Sequence, residues 1–240
     1  MFLTALYRPM TIACLCLTIS VPTLAAQSPA GGISLSQTRV VFLSTDKAQT
    51  LAVKNTAKQS YLIQSRVQQT PDDHTAAPFI VTPPVFSLQP DNQQLLRIIP
   101  QGGSLPADRE SLFYLAVIAI PAHSSKDIPD ARVSMGVRFI IKLFYRPADL
   151  KMAPASNPCN LRLSAGVNAV RIENPAPYFQ TFGNLKFNGQ PVNLDTQPDM
   201  LAPMSTQNYT IQGPVTQVTW QTVTDYGGLS TLCQQSIASQ

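Results

Sequence analysis

Val133-Ser134-Met135-Gly136-Val137-Arg138-Phe139-Ile140-Ile141-Lys142-Leu143-Phe144-Tyr145-Arg146-Pro147 is the stretch that decides how this chain folds. Val133, Met135, Val137, Phe139 and Ile141 are apolar at period two, and Ser134, Gly136 and Arg138 lie between them. That alternation is the pattern of a β-strand with one apolar face. Pro147 stops it, because proline has no N–H to give to a sheet ladder. Ordinary strands have about 5–6 residues, and this run exceeds twice that. A strand so long has stripe to spare beyond its own sheet, and that stripe is free to meet a partner. Lys142 has the opposite parity to the Val133–Ile141 row. Either the strand twists or bulges before Lys142, or the charge and the row serve different surfaces.

Residues 1–26 read as a secretory signal. Arg8 supplies the positive flank, Thr11 to Val21 an apolar core, and Pro22 to Ala26 a small-residue exit, with cleavage after Ala25 or Ala26. The apolar core is shorter than the about 20 residues that span a membrane. Arg8 and Pro9 speak against lipid attachment at Cys14, so no stable membrane anchor is expected. The formal charge of +4 drops by one when Arg8 is removed. A balance so mild argues against nucleic acid as a partner.

Only Cys159 and Cys233 survive processing, and two cysteines in an exported chain are expected to form one disulfide. Two thiols and two scattered histidines, His74 and His123, give no zinc spacing, so no metal site is expected. Both histidines lie in polar, turn-like stretches, and no nucleophile elbow or phosphate-cradling glycine loop is present. No enzyme is expected, and no cofactor.

The 21 prolines and abundant Thr, Val and Gln favour strands over helices. Strand-like runs fall near 33–43, 49–55, 60–68, 78–88, 94–99, 111–120 and 131–145. Seven runs at this spacing suggest an immunoglobulin-class sandwich. Arg146 to Pro158 is charged and proline-rich and reads as a linker. A second series follows near 160–164, 167–174, 179–187, 191–193, 207–212, 215–222 and 230–237. Its apolar residues are sparser, so its core should be thinner and should gain from a staple.

Four segments resemble one family, in the order that family has them. They are Thr38-Arg39-Val40, the block Leu105 to Ala122, the run Lys142 to Pro147, and Asp225-Tyr226-Gly227-Gly228. Together they resemble the periplasmic pilus-assembly chaperones of the chaperone–usher pathway. The resemblance implies an all-β chain of two immunoglobulin-like β-sandwich domains in a boomerang arrangement. The signal would occupy 1–26, the N-terminal domain 27–147 and the C-terminal domain 148–240. The modest loop from Ala122 to Ala131, and a mature start without a long apolar extension, resemble the short-loop subclass.

The same resemblance assigns roles. Arg39 and Lys142 would anchor the terminal carboxylate of a pilus subunit, Arg by a two-pronged bond and Lys as a compact charge. Val133, Met135 and Val137 would fill the groove of a subunit whose own fold lacks a strand, a case of strand addition for which pilus chaperones are an established example. Glu110, Arg146 and Asp225 would form an interdomain ion-pair network, with Arg97 as an added member. Ala116, Ile118 and Ala119 depart from the family pattern. Leu115 to Ile118 is apolar on both faces, which leaves a partner, a second copy or a nearby loop to cover it.

The function expected is a periplasmic chaperone that binds fimbrial subunits by donor-strand complementation and delivers them to an outer-membrane usher. Self-association of the free chaperone is left open. The alternatives are a structural or adhesive immunoglobulin-like secreted protein, such as a pilus component, or a secreted enzyme or carbohydrate binder.

Overall fold

The computed structural model describes residues 31–72, 75–122, 135–150, 158–166 and 168–238. The signal segment, His74, His123, Val133 and the middle of the Arg146–Pro158 linker lie outside them. Among the described residues every regular element is a strand. The first nine are β1 (Ile33–Leu35), β2 (Arg39–Leu43), β3 (Gln49–Asn55), β4 (Tyr61–Gln68), β5 (Phe79–Thr82), β6 (Val85–Leu88), β7 (Gln93–Pro100), β8 (Ser111–Pro121) and β9 (Val137–Arg146). They form two sheets, ordered β1-β3-β7-β5 and β2-β9-β8-β4-β6.

Two runs expected as single strands are each divided. Residues 33–43 become β1 and β2, and 78–88 become β5 and β6. In both cases the chain crosses from one sheet to the other. β1 pairs antiparallel with β3, while β2 pairs parallel with β9. β5 pairs with β7, while β6 pairs with β4. Pro83 and Pro84 sit at the second crossing, where neither has an N–H for a ladder.

The inner faces meet in a core that includes Phe42, Leu51, Ile63, Leu96, Ile98, Leu115 and Leu143, all nearly or wholly buried. Phe79 is the aromatic hinge of this core, with ring centroids 5.3 Å from Phe42 and 5.4 Å from Phe113. Each large apolar side chain so buried contributes about 1.5–3 kcal/mol.

The second sandwich uses β10 (Arg162–Gly166), β11 (Ala169–Asn174), β12 (Gln180–Phe187), β13 (Gln190–Pro191), β14 (Met200–Leu201), β15 (Ser205–Thr210), β16 (Gln217–Thr222) and β17 (Cys233–Ser236). β14 is too short to leave a periodic trace and was not among the runs read from sequence. The sheets are β10-β11-β15 and β13-β12-β16-β17, with β14 added beside β12. Trp220, Tyr209, Ile172 and Leu201 are at the centre of the core. Cys159 and Cys233 are joined by a disulfide. Cys233 is the ladder partner of Trp220 on β17, so the bridge ties the start of this sandwich to its last strand.

A buried asparagine closes the equivalent turn in each domain. Asn55 ends β3; its amide donates to the carbonyls of Gln59, Leu88 and Gln89, and its side-chain oxygen accepts from Ala57 N–H. Asn174 ends β11 and does the same with Tyr178, Ala202 and Ala176. Both are fully buried, and the bonds satisfy groups that would otherwise be costly to bury.

The parity of Lys142 is settled by register. β8 and β9 pair without a break from Ala119↔Val137 to Ser111↔Tyr145. No bulge precedes Lys142, so the charge and the apolar row serve opposite faces of the sheet. Phe139, Ile141, Leu143 and Tyr145 pack on the first core, Val137 continues their row beyond it, and Lys142, Phe144 and Arg146 look away from it.

The apolar run in β8 is explained by its position. β8 is an interior strand, with β9 on one side and β4 on the other. Leu115, Val117 and Ala119 are fully buried in the first core. Ala116 is buried on the other face, where its ladder neighbours are Arg66 and Ile140.

Candidate functional site

The outer face of β9 carries the charges. Parallel pairing of β2 with β9 sets Arg39 beside Lys142, Val41 beside Phe144 and Leu43 beside Arg146. Alternate residues of two adjacent strands therefore bring Arg39, Lys142, Phe144 and Arg146 onto one surface. That surface faces the second domain. Phe144 meets Phe179 with ring centroids 5.7 Å apart.

Arg146 is held from both domains. Its Nε donates to Glu110 Oε1 at 2.7 Å. Its Nη1 and Nη2 donate to the two oxygens of Asp225 at 2.7 and 2.9 Å. The guanidinium also lies 5.0 Å from the centre of the Tyr178 ring. The second oxygen of Glu110 accepts from the Phe179 backbone N–H at 2.9 Å. Burial pushes the Glu110 carboxyl above its usual value, against the pull of Arg146 and the Phe179 N–H. Burial also works against the Arg146 charge, but its bonds to Asp225 and Glu110 outweigh that and hold its pKa above the usual value.

Arg97 is not part of this network. It is exposed on β7, in the opposite sheet, where it pairs with Thr50 and Thr82 across the ladders. The expectation that it joins Glu110, Arg146 and Asp225 is corrected on that ground.

Arg39 is half-buried, and burial lowers its pKa despite Asp225 and Glu110 nearby. One Nη donates to the Val223 carbonyl at 3.2 Å, and the guanidinium sits 5.7 Å from the centre of the Phe144 ring. Its Nε is buried without a hydrogen-bond partner. Lys142 reaches the second domain too, with Nζ 2.8 Å from Asp199 Oδ2. A cleft of about 520 Å³ runs along Thr38, Arg39, Val41, Arg146, Asp225 and Tyr226.

Above these charges, β9 continues without its β2 neighbour. β2 pairs only with Lys142–Arg146, whereas β9 begins at Val137. Among the described residues no strand pairs with the remaining edge of Val137–Ile141, so its backbone groups are available. The apolar row on this segment changes character along its length. Met135 is 80% exposed and Val137 50%, Phe139 and Ile141 pack partly on the core, and Leu143 is fully buried. Val133, which extends the row, lies outside the described residues.

Sequence reasoning missed Tyr178, Phe179 and Asp199. The aromatic pair follows Pro175-Ala176-Pro177, and two rings in a proline-rich turn were a usable sign of a packed contact. Asp199, in Gln197-Pro198-Asp199, carries no such sign. Among the described residues no cluster of three or more His, Cys, Asp or Glu could hold a metal ion.

Comparison with known proteins agrees with this geometry over nearly the whole described chain. Residues 32–151 match the pili and flagellar-assembly chaperone family, PapD N-terminal domain. Residues 156–234 match the pili assembly chaperone PapD, C-terminal domain. The probable fimbrial chaperone protein ElfD of Escherichia coli is 37% identical over 200 residues, covering 82% of this chain and 83% of its own. The chaperone protein LpfB of Salmonella typhimurium is 32% identical over 232 residues, covering 96% and 99%. A chain in the solved complex of the Salmonella enterica SafA pilin with the SafB chaperone superposes with a TM-score of 0.77 at 29% identity, covering 87% and 98%. The E. coli chaperone DraB superposes with a TM-score of 0.76 at 32% identity, covering 87% and 98%. Both of its domains thus match, in order and over their length, and the chain belongs to the PapD-like family of pilus-assembly chaperones.

Proposed function

We propose that this protein is a periplasmic chaperone that binds fimbrial subunits by strand addition and passes them to an outer-membrane usher. The observation that carries the reading is the overhang of β9. Its segment Val137–Ile141 combines an open backbone edge with a graded apolar row, and it rises directly from a charged base at Arg39 and Lys142. A subunit missing one strand would gain main-chain bonds along that edge, while Val133, Met135 and Val137 fill successive pockets. Its terminal carboxylate would be held by Arg39 and Lys142 in the cleft between the domains. On this reading the N-terminal domain would run over 27–147 and the C-terminal domain over 148–240, dividing at the foot of the same strand.

Glu110, Arg146 and Asp225 would fix the angle between the domains, so that anchor and edge stay in register. A buried ion-pair network is a weak source of net stability but a good way to specify one geometry. The binding is passive: no cofactor or nucleotide takes part, and exchange for a better-fitting subunit strand drives transfer.

The test is recovery of small β-rich partners with this protein from periplasm. Met135→Asp places a charge where an apolar groove is expected, and Lys142→Ala removes the anchor. Both variants should fold and lose their subunits. Full recovery with both variants would overturn the proposal.

A further inference from the structure

We infer that Asp199 is an internal stand-in for the subunit carboxylate, occupying Lys142 in the free chaperone and displaced on binding. The inference rests on the anchor role proposed for Lys142. The Asp199 carboxylate lies 2.8 Å from Lys142 Nζ and comes from the second domain, across the cleft. Chemically it is the group that a subunit's terminus would present.

The backbone that carries Asp199 is pinned on both sides rather than left as a loose loop. Asp199 O accepts from Phe182 N–H at 2.8 Å. Pro198 O accepts from the hydroxyl of fully buried Tyr209 at 2.9 Å. Met200 then pairs with Thr181 in β14. The loop before it is pinned where Gln197 Nε2 donates to Thr210 O.

The two partners differ in exposure in the sense that suits exchange. The Lys142 side chain is 21% exposed and Asp199 54%. Lys142 thus keeps a counter-charge while its site is empty, at little desolvation cost to Asp199. A carboxylate arriving along the β9 edge can displace Asp199 into water without burying it unpaired. Among the described residues Arg39 has no such stand-in: its Nε is buried without a partner, and its Nη1 donates to the neutral Val223 carbonyl. The anchor in the free protein is therefore half occupied. An incoming carboxylate competes at Lys142 and meets, at Arg39, a guanidinium with no carboxylate partner among the described residues. Such competition weakens subunit binding and eases release.

The experiment uses N-acetylglycine, a minimal peptide C-terminus, with N-acetylglycinamide as the uncharged control. Amide chemical shifts of Arg39 and Lys142 are followed by NMR in the purified protein, in Asp199→Asn and in Lys142→Ala. Because competition from an exposed ion pair is worth little, half-saturation in Asp199→Asn should fall by about three- to fivefold. The amide control should shift neither residue, and melting should stay within a few degrees of the parent. An unchanged midpoint in Asp199→Asn, or a lower melting temperature as its sole effect, would make Asp199 a structural brace and overturn the inference. So would the absence of any N-acetylglycine response in Asp199→Asn. Subunit recovery with Lys142→Ala is read separately: if it stays complete, the anchor reading itself has failed.

Discussion

Arg146 joins Glu110 of the first domain to Asp225 of the second, and removing it would leave two carboxylates facing one another, one of them buried. Breaking such a buried arrangement from one side costs about 3–5 kcal/mol. Arg146→Ala should therefore melt earlier, and solution scattering should report a changed angle between the domains; unchanged melting and scattering would remove the brace role. Gly227 supports the same network from the turn that carries Asp225. It adopts φ +83° and would bring a Cβ against Thr38 Oγ1. Gly227→Ala should cost about 1–3 kcal/mol through backbone strain, and denaturant melting would show it. The charges were legible through the family motifs, whereas the need for glycine at Gly227 emerges only from its backbone conformation and its approach to Thr38. Asp199 was not, because an isolated acid in a polar loop has no pattern; only the fold brings it to Lys142.

β9 does two jobs with one alternation. Leu143 and Tyr145 close the first core, while Met135 and Val137 project beyond it. The strand itself was readable from its period-two run, and so were most of the others. Two features were not. The breaks at 36–38 and 83–84 are crossings between sheets, and the hydrophobic pattern continues through them because both sheets share one core. The parity of Lys142 was ambiguous because alternation does not reveal whether a ladder contains a bulge; the unbroken pairing with β8 removes the ambiguity. Met135 is 80% exposed and belongs to neither core cluster. Met135→Asp should consequently leave thermal melting unchanged while subunits are lost from periplasmic preparations. A large drop in melting would instead place Met135 in the protein's own packing.

Within one compact unit, Gly31–Gln240, two sandwiches meet along a charged and aromatic seam rather than a broad apolar one. The second sandwich is stapled by a disulfide between residues 74 apart in sequence. Closing a loop of that size is worth about 4 kcal/mol in the chain-entropy model. Cys159→Ser with Cys233→Ser should lower the melting of the second domain first, as scanning calorimetry would resolve. Two domains and their order were visible in composition and turn spacing, but their relation across the cleft was not, since it depends on contacts between residues as distant as Arg39 and Val223. That relation places Arg39 and Lys142 at the foot of the unpaired β9 edge, and the account stands on the anchor role proposed for them. Lys142→Ala tests it most directly, with melting of the free protein and recovery of subunits from periplasm measured on the same variant. Truncating a charged partner in a partly desolvated site costs about 2–5 kcal/mol of binding, so melting should match the parent while subunits are lost. Parent-like melting with full subunit recovery would contradict the account.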